Sequence, residues 1–279
     1  MVTAADEWDS SGQRDLQPRQ SAVYRKYLGL QFLAAQQFHG LLGGKLLLCA
    51  GFGLESAELA LATTIAGGAF LGIEADPHRL KSAIRNGSCD FMVNTLDEAL
   101  RVLKNELRQK KPLSVGLLGD AAEIFPAMVE RGVQPDLVAD IAPPKSPLDS
   151  APAENIKATM EAHRQAMLHF MELGAIPLVD LADDSRQLEV VWTTANLPDM
   201  RSLDRAALGW LTPEDQLRRR WLEQASAFFY RQIPLERVLG VRSEELTSLL
   251  EVFRSAHPLR APATVHWLGP DSKPQSTSV

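Results

Sequence analysis

Between residues 45 and 181, short apolar runs alternate with longer segments of helical period. Each run is about four to six residues long, as expected of buried strands in a parallel sheet. Six runs separated by five such segments predict an α/β fold with a doubly wound, Rossmann-like parallel sheet. The runs cover 45–50, 69–74, 91–94, 113–118, 137–141 and 176–181, and the predicted helices cover 55–66, 77–86, 96–110, 120–132 and 153–173.

The segments on either side of this alternation predict the domain organisation. A polar stretch over residues 1–20 predicts a disordered tail, and residues 21–195 predict a Rossmann-like domain with a leading amphipathic helix. Residues 196–268 predict a helical extension, and residues 269–279 predict a loose tail. The periodicity predicts helices near 201–209, 213–231, 234–239 and 243–256, and further strands at 188–194 and 263–268.

The composition narrows the classes of partner. The formal net charge is −6 and the sequence pI is about 5.6, which disfavours nucleic-acid binding because that needs a basic face. No apolar run reaches the roughly 18–20 residues of a membrane span, and the polar N-terminus lacks the apolar core of a signal peptide. With two cysteines and no disulfide pattern, the sequence predicts a cytoplasmic protein that binds neither nucleic acid nor membrane.

A glycine-rich turn after the first predicted strand is the strongest sign of a ligand. Gly51, Gly53 and Ser56 form G-x-G-x-x-S, whereas the dinucleotide fingerprint has Gly or Ala in third place. Gly51 permits the tight turn, Gly53 lets a pyrophosphate approach the backbone, and the helix N-terminus offers free N–H groups. Two interpretations stay open: a dinucleotide site, or a tight strand-to-helix turn without a ligand.

Glu74 ends the second predicted strand, 23 residues beyond Gly51, where an acid that binds the ribose hydroxyls is expected. An acid here favours NAD, because it would repel the 2′-phosphate of NADP. Arg79 lies one helical turn into the next helix. Its guanidinium has two alternative partners, the Glu74 carboxylate or a phosphate. Without a cofactor, Glu74 is interpreted as a helix-capping acid.

Several blocks of the sequence resemble the Rossmann-like NAD-binding domain of urocanase. Residues 74–79, Glu-Ala-Asp-Pro-His-Arg, are similar to the E-x-D-P-x-R segment of that family. The longest similar run is 114–123 (SVGLLGDAAE), and it continues into 131–140 (RGVQPDLVAD). The blocks keep the order and spacing of the family from about residue 40 to residue 182. The resemblance implies a Rossmann-like domain, which the family inserts into a larger core domain.

The resemblance also implies a cofactor and a set of site residues. Urocanase binds NAD+ tightly and uses its nicotinamide ring as an electrophile toward the imidazole of urocanate, to which water is added. On the matching positions the family contacts NAD at Glu74, Arg79, Asp120 and Ala121, although it has Asn in place of Asp120. Asp140 opens the segment that matches the family loop D-Q-T-S-A-H-D-P-L-N-G and completes the candidate cofactor-binding set.

The sequence departs from the family where the chemistry takes place. Leu54 and Ser56 replace two glycines near the phosphates. Residues 140–150 lack the Gln, Thr, Ser and His of the family loop, and Pro143 and Pro144 remove two backbone donors. The core domain and catalytic cysteine of the family find no counterpart in this sequence. We therefore assign no catalytic residue and expect no urocanate hydratase activity from this chain alone.

Three functions are compatible with these features. The first is an NAD-binding, urocanase-related enzyme, lyase-like or otherwise NAD-dependent, whose reaction has changed. The second is a non-catalytic nucleotide-sensing or scaffold protein that kept the fold without the hydratase chemistry. The third, an ordinary nicotinamide oxidoreductase, is the weakest because we find no Tyr-x-x-x-Lys pair. An enzyme should place polar groups of the 140–150 loop toward the nicotinamide, whereas a binding module should fill that space.

Other titratable residues give weaker indications of a functional site. Asp140, Asp180 and Asp183 follow neighbouring predicted strands, and they either face a shared crevice or cap turns and helices. His163 and His169 are six residues apart on one helix, so they do not form the i, i+4 pair of a metal site. The sequence has no Cys/His cluster of the kind that binds zinc, and no metal is predicted.

The extension carries two strongly apolar helical segments, 213–231 with Trp221 and Phe229, and 243–256 with Phe253. Faces of this size pack within the chain or against a second copy, because monomers rarely expose them. The expected partners are a small-molecule nucleotide and, if these helices pack between copies rather than within the chain, a second subunit of a homodimer.

Overall fold

A computed structural model describes residues 19–140, 153–178, 187–230, 235–256, 259–268 and 274–279. The chain divides into two compact units: unit 1 comprises residues 1–19 and 29–181, and unit 2 comprises residues 20–28 and 182–279. The first helix, α1 (Gln20–Gln37), contributes its beginning to unit 2 and its remainder to unit 1. Across these described ranges, no helix combines the length and the apolar character needed to cross a membrane.

Unit 1 contains the βα units that the alternating sequence predicted. Its strands are β1 (Leu46–Ala50), β2 (Ala69–Glu74), β3 (Phe91–Val93), β4 (Leu113–Leu118), β5 (Leu137–Asp140) and β6 (Ile176–Pro177). Its helices after α1 are α2 (Leu54–Ile65), α3 (Pro77–Arg85), α4 (Leu96–Gln109), α5 (Ala121–Glu130) and α6 (Ala153–Glu172). The strands are all parallel and lie in the order β3-β4-β2-β1-β5-β6. The predicted α/β Rossmann-like fold is therefore confirmed.

Local sequence sets where the helices of unit 1 begin. Asp76 ends the turn after β2, and its carboxylate accepts the N–H of His78 at 2.9 Å, with Pro77 at the first helical position. Thr95 caps α4 in the same way through the N–H of Glu98. These side chains satisfy backbone donors that an isolated helix end leaves free. Helices α3 and α4 therefore start directly after β2 and β3, and the turns at this edge of the sheet are short.

The centre of the parallel sheet forms the core of unit 1. Every residue of β1 and β2 is buried, which is the pattern of strands covered on both faces. Leu48, Leu71 and Val115 lie in one apolar cluster with Phe125 of α5 and Phe170 of α6. The rings of Phe125 and Phe170 meet edge to face, with centroids 5.9 Å apart. This packing holds α5 and α6 together beside the sheet.

Unit 2 is a mixed α/β unit with a sheet of its own. It contains β7 (Leu188–Thr194), α7 (Leu197–Trp210), α8 (Gln216–Phe228), β8 (Leu235–Val241), a 3₁₀ turn (Ser243–Glu245), α9 (Leu246–Ser255), β9 (Thr264–Leu268) and β10 (Gln275–Ser278). The strands are antiparallel in the order β10-β9-β7-β8. Three of the predicted helices and both predicted further strands are present.

Two local predictions in unit 2 are wrong. The helix predicted near 234–239 is strand β8, and part of the segment predicted as a loose tail is strand β10. Both errors have the same cause, because each of these strands is stabilised by pairing with another strand. Leu188 of β7 pairs with Val241 of β8, and β10 pairs antiparallel with β9. Local propensity is overridden by such pairing.

Side chains of unit 2 close the outer edge of β8. An edge strand presents unpaired backbone groups that invite further strand pairing. Side chains hydrogen-bond to those groups at three positions of β8. The Tyr24 hydroxyl accepts the N–H of Gly240 at 2.8 Å. Gln20 Nε2 donates to the Glu236 carbonyl at 2.8 Å, and Trp221 Nε1 donates to the Val238 carbonyl at 2.7 Å. The beginning of α1 is thereby part of unit 2.

Candidate dinucleotide site

Four adjacent strands of the parallel sheet end at one edge. The register places Ala50 of β1 opposite Ile73 of β2 and opposite Asp140 of β5, and it places Glu74 opposite Leu118 of β4. The chain leaves β1 for β2 on one side, whereas β5 lies on the other side of β1. The winding therefore reverses between β1 and β5, and open α/β sheets bind ligands beyond the strand ends at such a switch point.

The glycine-rich turn lies at this switch point. Gly51 has a φ of +86°, in the left-handed region that favours glycine, and its N–H donates to the Ile73 carbonyl at 2.6 Å. Gly53 is the N-cap of α2 with extended backbone, φ −72° and ψ −170°. A Cβ on Gly53 would meet no described atom within 4 Å other than its chain neighbours. Neither backbone strain nor protein packing requires glycine at position 53.

Phe52, between the two glycines, anchors the turn in the core. Phe52 is only 1% exposed, and its ring contacts the ring of Phe70 edge to face, with centroids 5.4 Å apart. A Cβ on Gly72 would lie 2.5 Å from the Phe52 ring, so Gly72 provides the flat surface on which this ring lies. This contact was not predicted from the sequence, although a glycine within an apolar strand commonly marks a close approach of this kind.

Glu74 joins the turn after β1 to the turn after β2. One carboxylate oxygen accepts the N–H of Phe52 at 2.9 Å, and the other accepts the N–H of Asp76 at 3.0 Å. Nη1 of Arg79 lies 3.5 Å from the first of these oxygens. Of the two partners expected for the Arg79 guanidinium, the structure shows the Glu74 carboxylate in contact with it. The carboxylate is buried, so it fixes the shape of the site edge from within.

Ser56 occupies the third small position of the fingerprint and is fully buried. Its hydroxyl makes no hydrogen bond to any residue that the structure describes. The small size of the Ser56 side chain, rather than its hydroxyl, therefore explains why serine fits this position. The third residue of the fingerprint must let the helix and the strand pack closely. Glu55 beside it is exposed, as expected of an acid in the first turn of a helix.

Asp120 and Ala121 mark the end of β4, next to β2. The Asp120 carboxylate caps α5 by accepting the N–H of Ala122 at 2.9 Å, and the N–H of Gly119 donates to the Glu74 carbonyl at 3.1 Å. Ala121 is buried, whereas Asp120 is half-buried. The turn after β4 is thus tied to the end of β2, on the side of the edge away from β5.

Asp140 ends β5 beside the switch point, and its carboxylate lies 3.2 Å from Nε2 of His163 on α6. The His163 side chain is 6% exposed, and that of Asp140 is 41% exposed. The imidazole stacks on Phe125, with centroids 4.9 Å apart and planes 20° apart. From the sequence, His163 was considered only as a metal ligand. Its partner, 23 residues away, was not detectable from helical spacing.

Protonation of His163 reflects opposing influences. Burial lowers its pKa, but the hydrogen bond and charge of Asp140, a contact with the Ala121 carbonyl and the charge of Asp120 raise it. The net pKa lies above the ordinary value for histidine. Nδ1 is buried without a well-aligned hydrogen-bond partner among the described residues. These surroundings therefore favour the protonated imidazole next to the Asp140 carboxylate.

The architecture and the site edge agree with one known family. The family model described as the urocanase Rossmann-like domain matches residues 20–166, just over half of the chain. The chain belongs to this urocanase family. The match begins in α1 and ends within α6, so it contains every strand end of the candidate site. The resemblance found in the sequence is thereby confirmed for the Rossmann-like domain.

The urocanase-type domain brings the candidate residues together in two groups. Gly51, Gly53 and Asp140 lie at the switch point between β1 and β5. Glu74 and Arg79 lie at the end of β2, on the other side of the turn. The remaining candidates lie further from the switch point: Ser56 within α2, and Asp120 and Ala121 after β4. The first two groups share contacts through Phe52 and form the centre of the candidate site.

Several residues considered in the sequence analysis lie outside the described residues. These are Pro143 and Pro144 of the 140–150 loop, and Asp180 and Asp183 after β6. The predicted contrast between an enzyme and a binding module depends on that loop, so it stays a prediction. Of the two predicted tails, residues 1–18 and 269–273 also lie outside the described residues.

The two thiols of the urocanase-type domain lie in its interior. Cys49 and Cys89 are both buried. Burial, assisted by the charge of Asp90, raises the pKa of Cys89 to about 12, so this thiol stays protonated. Within the described ranges, no group of three or more His, Cys, Asp or Glu side chains is arranged to hold a metal ion.

Proposed function

We propose that the urocanase-type domain binds NAD+ at the carboxyl edge of its parallel sheet. The pyrophosphate lies on the turn from Gly51 to Gly53 and accepts hydrogen bonds from the N-terminus of α2. Gly53 carries the proposal, because its backbone would accept any residue and no described atom beyond its neighbours fills the space of a side chain. A bound phosphate explains why this position has no side chain.

Glu74 gives the proposed site its preference for NAD+. The N–H groups of Phe52 and Asp76 hold its carboxylate in place, and each oxygen keeps a lone pair that a ribose hydroxyl can use. The fixed negative charge opposes the 2′-phosphate of NADP+. We expect NADP+ to bind at least about tenfold more weakly than NAD+, which corresponds to about 1.4 kcal/mol.

Substitution of Gly53 tests the proposal, because it separates folding from binding. Gly53→Asp places a favoured N-cap side chain on α2 and should leave the stability equal or raise it by a few tenths of a kcal/mol. The same carboxylate would lie where the pyrophosphate binds, so the affinity for NAD+ should fall more than about tenfold. Gly53→Ser is the matched control, with a neutral cap of similar size and a smaller loss of affinity.

Titration calorimetry with NAD+ measures the affinities, and thermal unfolding measures the stabilities. Mass spectrometry of nucleotide released by acid from the purified protein identifies any cofactor retained from the cell. The proposal is contradicted if NAD+ gives no binding heat at millimolar concentration, or if Gly53→Asp binds as tightly as the wild type.

We further propose that the bound NAD+ serves a divergent enzyme of the urocanase type. Support comes from the titratable pair of Asp140 and His163 at the switch point, because such pairs concentrate at functional sites. A nucleotide-sensing protein is the second candidate, favoured by the loss of the family's Gln, Thr, Ser and His between residues 140 and 150. Cofactor that stays bound through gel filtration supports the enzyme, whereas NAD+ that exchanges freely and is discriminated from NADH supports the sensor.

A further inference from the structure

His163 differs from the other histidines of the described residues in its combination of burial and partner. Only 6% of its side chain is exposed, and Nε2 contacts the carboxylate of Asp140. Stacking on Phe125 fixes the plane of the ring. The imidazole therefore holds Asp140 in one position at the end of β5, directly beside the glycine-rich turn, because Ala50 and Asp140 share a register position.

Among the residues that the structure describes, the charged groups that act on the ring are both acids. Asp140 comes from β5, and Asp120 comes from the turn between β4 and α5. The residues of α5 that contact or approach the ring, Ala121 and Phe125, are uncharged. A neutral His163 would leave two carboxylates near the strand ends, where a phosphate would be repelled. A protonated His163 offsets one of those charges, and its pKa is already raised.

We propose that His163 is a positioning residue of the NAD+ site whose protonation is coupled to dinucleotide binding through Asp140. The inference rests on the proposed function, because it assumes that the pyrophosphate lies on the turn next to Asp140. The imidazolium neutralises the Asp140 carboxylate, so the pyrophosphate and the proton favour each other. Coupling of this kind is reciprocal: NAD+ raises the pKa of His163, and loss of the proton weakens NAD+ binding.

The reciprocal effect can be measured on the wild-type chain. NMR spectra of the protein labelled with [13C]histidine follow each imidazole from pH 5.5 to 8.5, with and without saturating NAD+. The His163 resonance is assigned by its absence in His163→Gln. We expect NAD+ to raise the pKa of His163 by about half a unit to one unit, equivalent to about three- to tenfold weaker binding once the proton is lost.

ADP-ribose provides a second probe, because it carries the pyrophosphate without the cationic nicotinamide ring. It should raise the pKa of His163 at least as much as NAD+ does. His163→Gln keeps an N–H donor for Asp140 but does not titrate, so its affinity for NAD+ should be constant across the same pH range. His266→Gln, an exposed substitution in unit 2, is the control and should retain the pH dependence of the wild type.

The outcomes separate this inference from the proposed function. If NAD+ binds with an affinity independent of pH and leaves the pKa of His163 unchanged or lowered, the coupling is overturned and NAD+ binding stands. If neither NAD+ nor ADP-ribose binds at any pH, both are overturned. A pKa increase in the wild type, with constant affinity in His163→Gln, supports the coupling even if that variant is less stable.

Discussion

The carboxylate of Glu74 accepts the N–H of Phe52 at 2.9 Å, so the acid that ends β2 fixes the turn that follows β1. In a dinucleotide fingerprint this acid is expected to bind ribose. Here the same carboxylate also accepts the N–H of Asp76. The arrangement makes the shape of the glycine-rich turn depend on one buried side chain.

Removal of the Glu74 carboxylate should therefore destabilise unit 1. Glu74→Ala leaves the N–H groups of Phe52 and Asp76 without their acceptor, and we expect a loss of about 2–3 kcal/mol in the free energy of unfolding. Urea denaturation followed by circular dichroism measures the change. Glu130→Ala, an exposed acid of the same unit, should change stability by no more than about 0.5 kcal/mol. Equal effects of the two substitutions would contradict the structural role of Glu74.

Gly72 should tolerate no side chain while Phe52 is present. Gly72→Ala places a Cβ 2.5 Å from the Phe52 ring, and overpacking of a core typically destabilises by about 1–3 kcal/mol. Phe52→Leu in the same chain removes the nearer of two obstructing rings, and the Phe70 ring, 2.9 Å from the same Cβ, remains. The double variant should therefore be less destabilised than the sum of the two single variants, as a double-mutant cycle of unfolding free energies will show. Simple additivity would mean that the two residues do not compete for space.

Glu245 should contribute to stability above acid pH. Partial burial raises its pKa, but hydrogen bonds from Arg242 and Arg218 outweigh that effect and hold the pKa at about 2. Because the folded pKa lies below the unfolded value near 4.3, the stabilisation is complete above about pH 5 and is lost as pH falls toward 2. Glu245→Gln should be less stable at pH 7 and should lose less stability between pH 5 and 2. The neighbouring exposed Glu244→Gln is the control.

We expect no hydration of urocanate by this chain with NAD+. The family loop that carries Gln, Thr, Ser and His is replaced between residues 140 and 150. The measurement is the ultraviolet absorbance of urocanate after addition of purified protein and NAD+, with an active urocanase as the positive control. Loss of absorbance at a rate proportional to protein concentration would show that these substitutions preserve the hydratase reaction.

A homodimer through the C-terminal helices stays a prediction. Trp221 and Phe253, two of the apolar residues that suggested it, are buried within unit 2, where Trp221 packs against Tyr24 and Phe253 against Trp192. Leu217 of α8 remains 47% exposed. Light scattering at micromolar concentration should give twice the chain mass of 30.7 kDa, and Leu217→Glu should lower it. The monomer mass in the wild type would leave only packing within the chain.

The sequence by itself determined most of unit 1. Buried parallel strands and their connecting helices are encoded in contiguous residues, so the apolar runs and the capping residues Asp76, Thr95 and Asp120 defined these elements. The turn at Gly51 was predictable for the same reason, because its positive φ is a local backbone geometry that favours glycine. The family resemblance added the candidate residues at the ends of β4 and β5.

Only the tertiary structure decided which of these residues work together. Strand β8 lies where the sequence predicted a helix, because its stability comes from pairing with β7 and from side chains of α1 and α8 that contact its outer edge. The Asp140–His163 contact and the Phe52–Gly72 packing likewise join residues from separate elements. Such contacts form only when the chain brings distant segments together. Local periodicity contains no information about them.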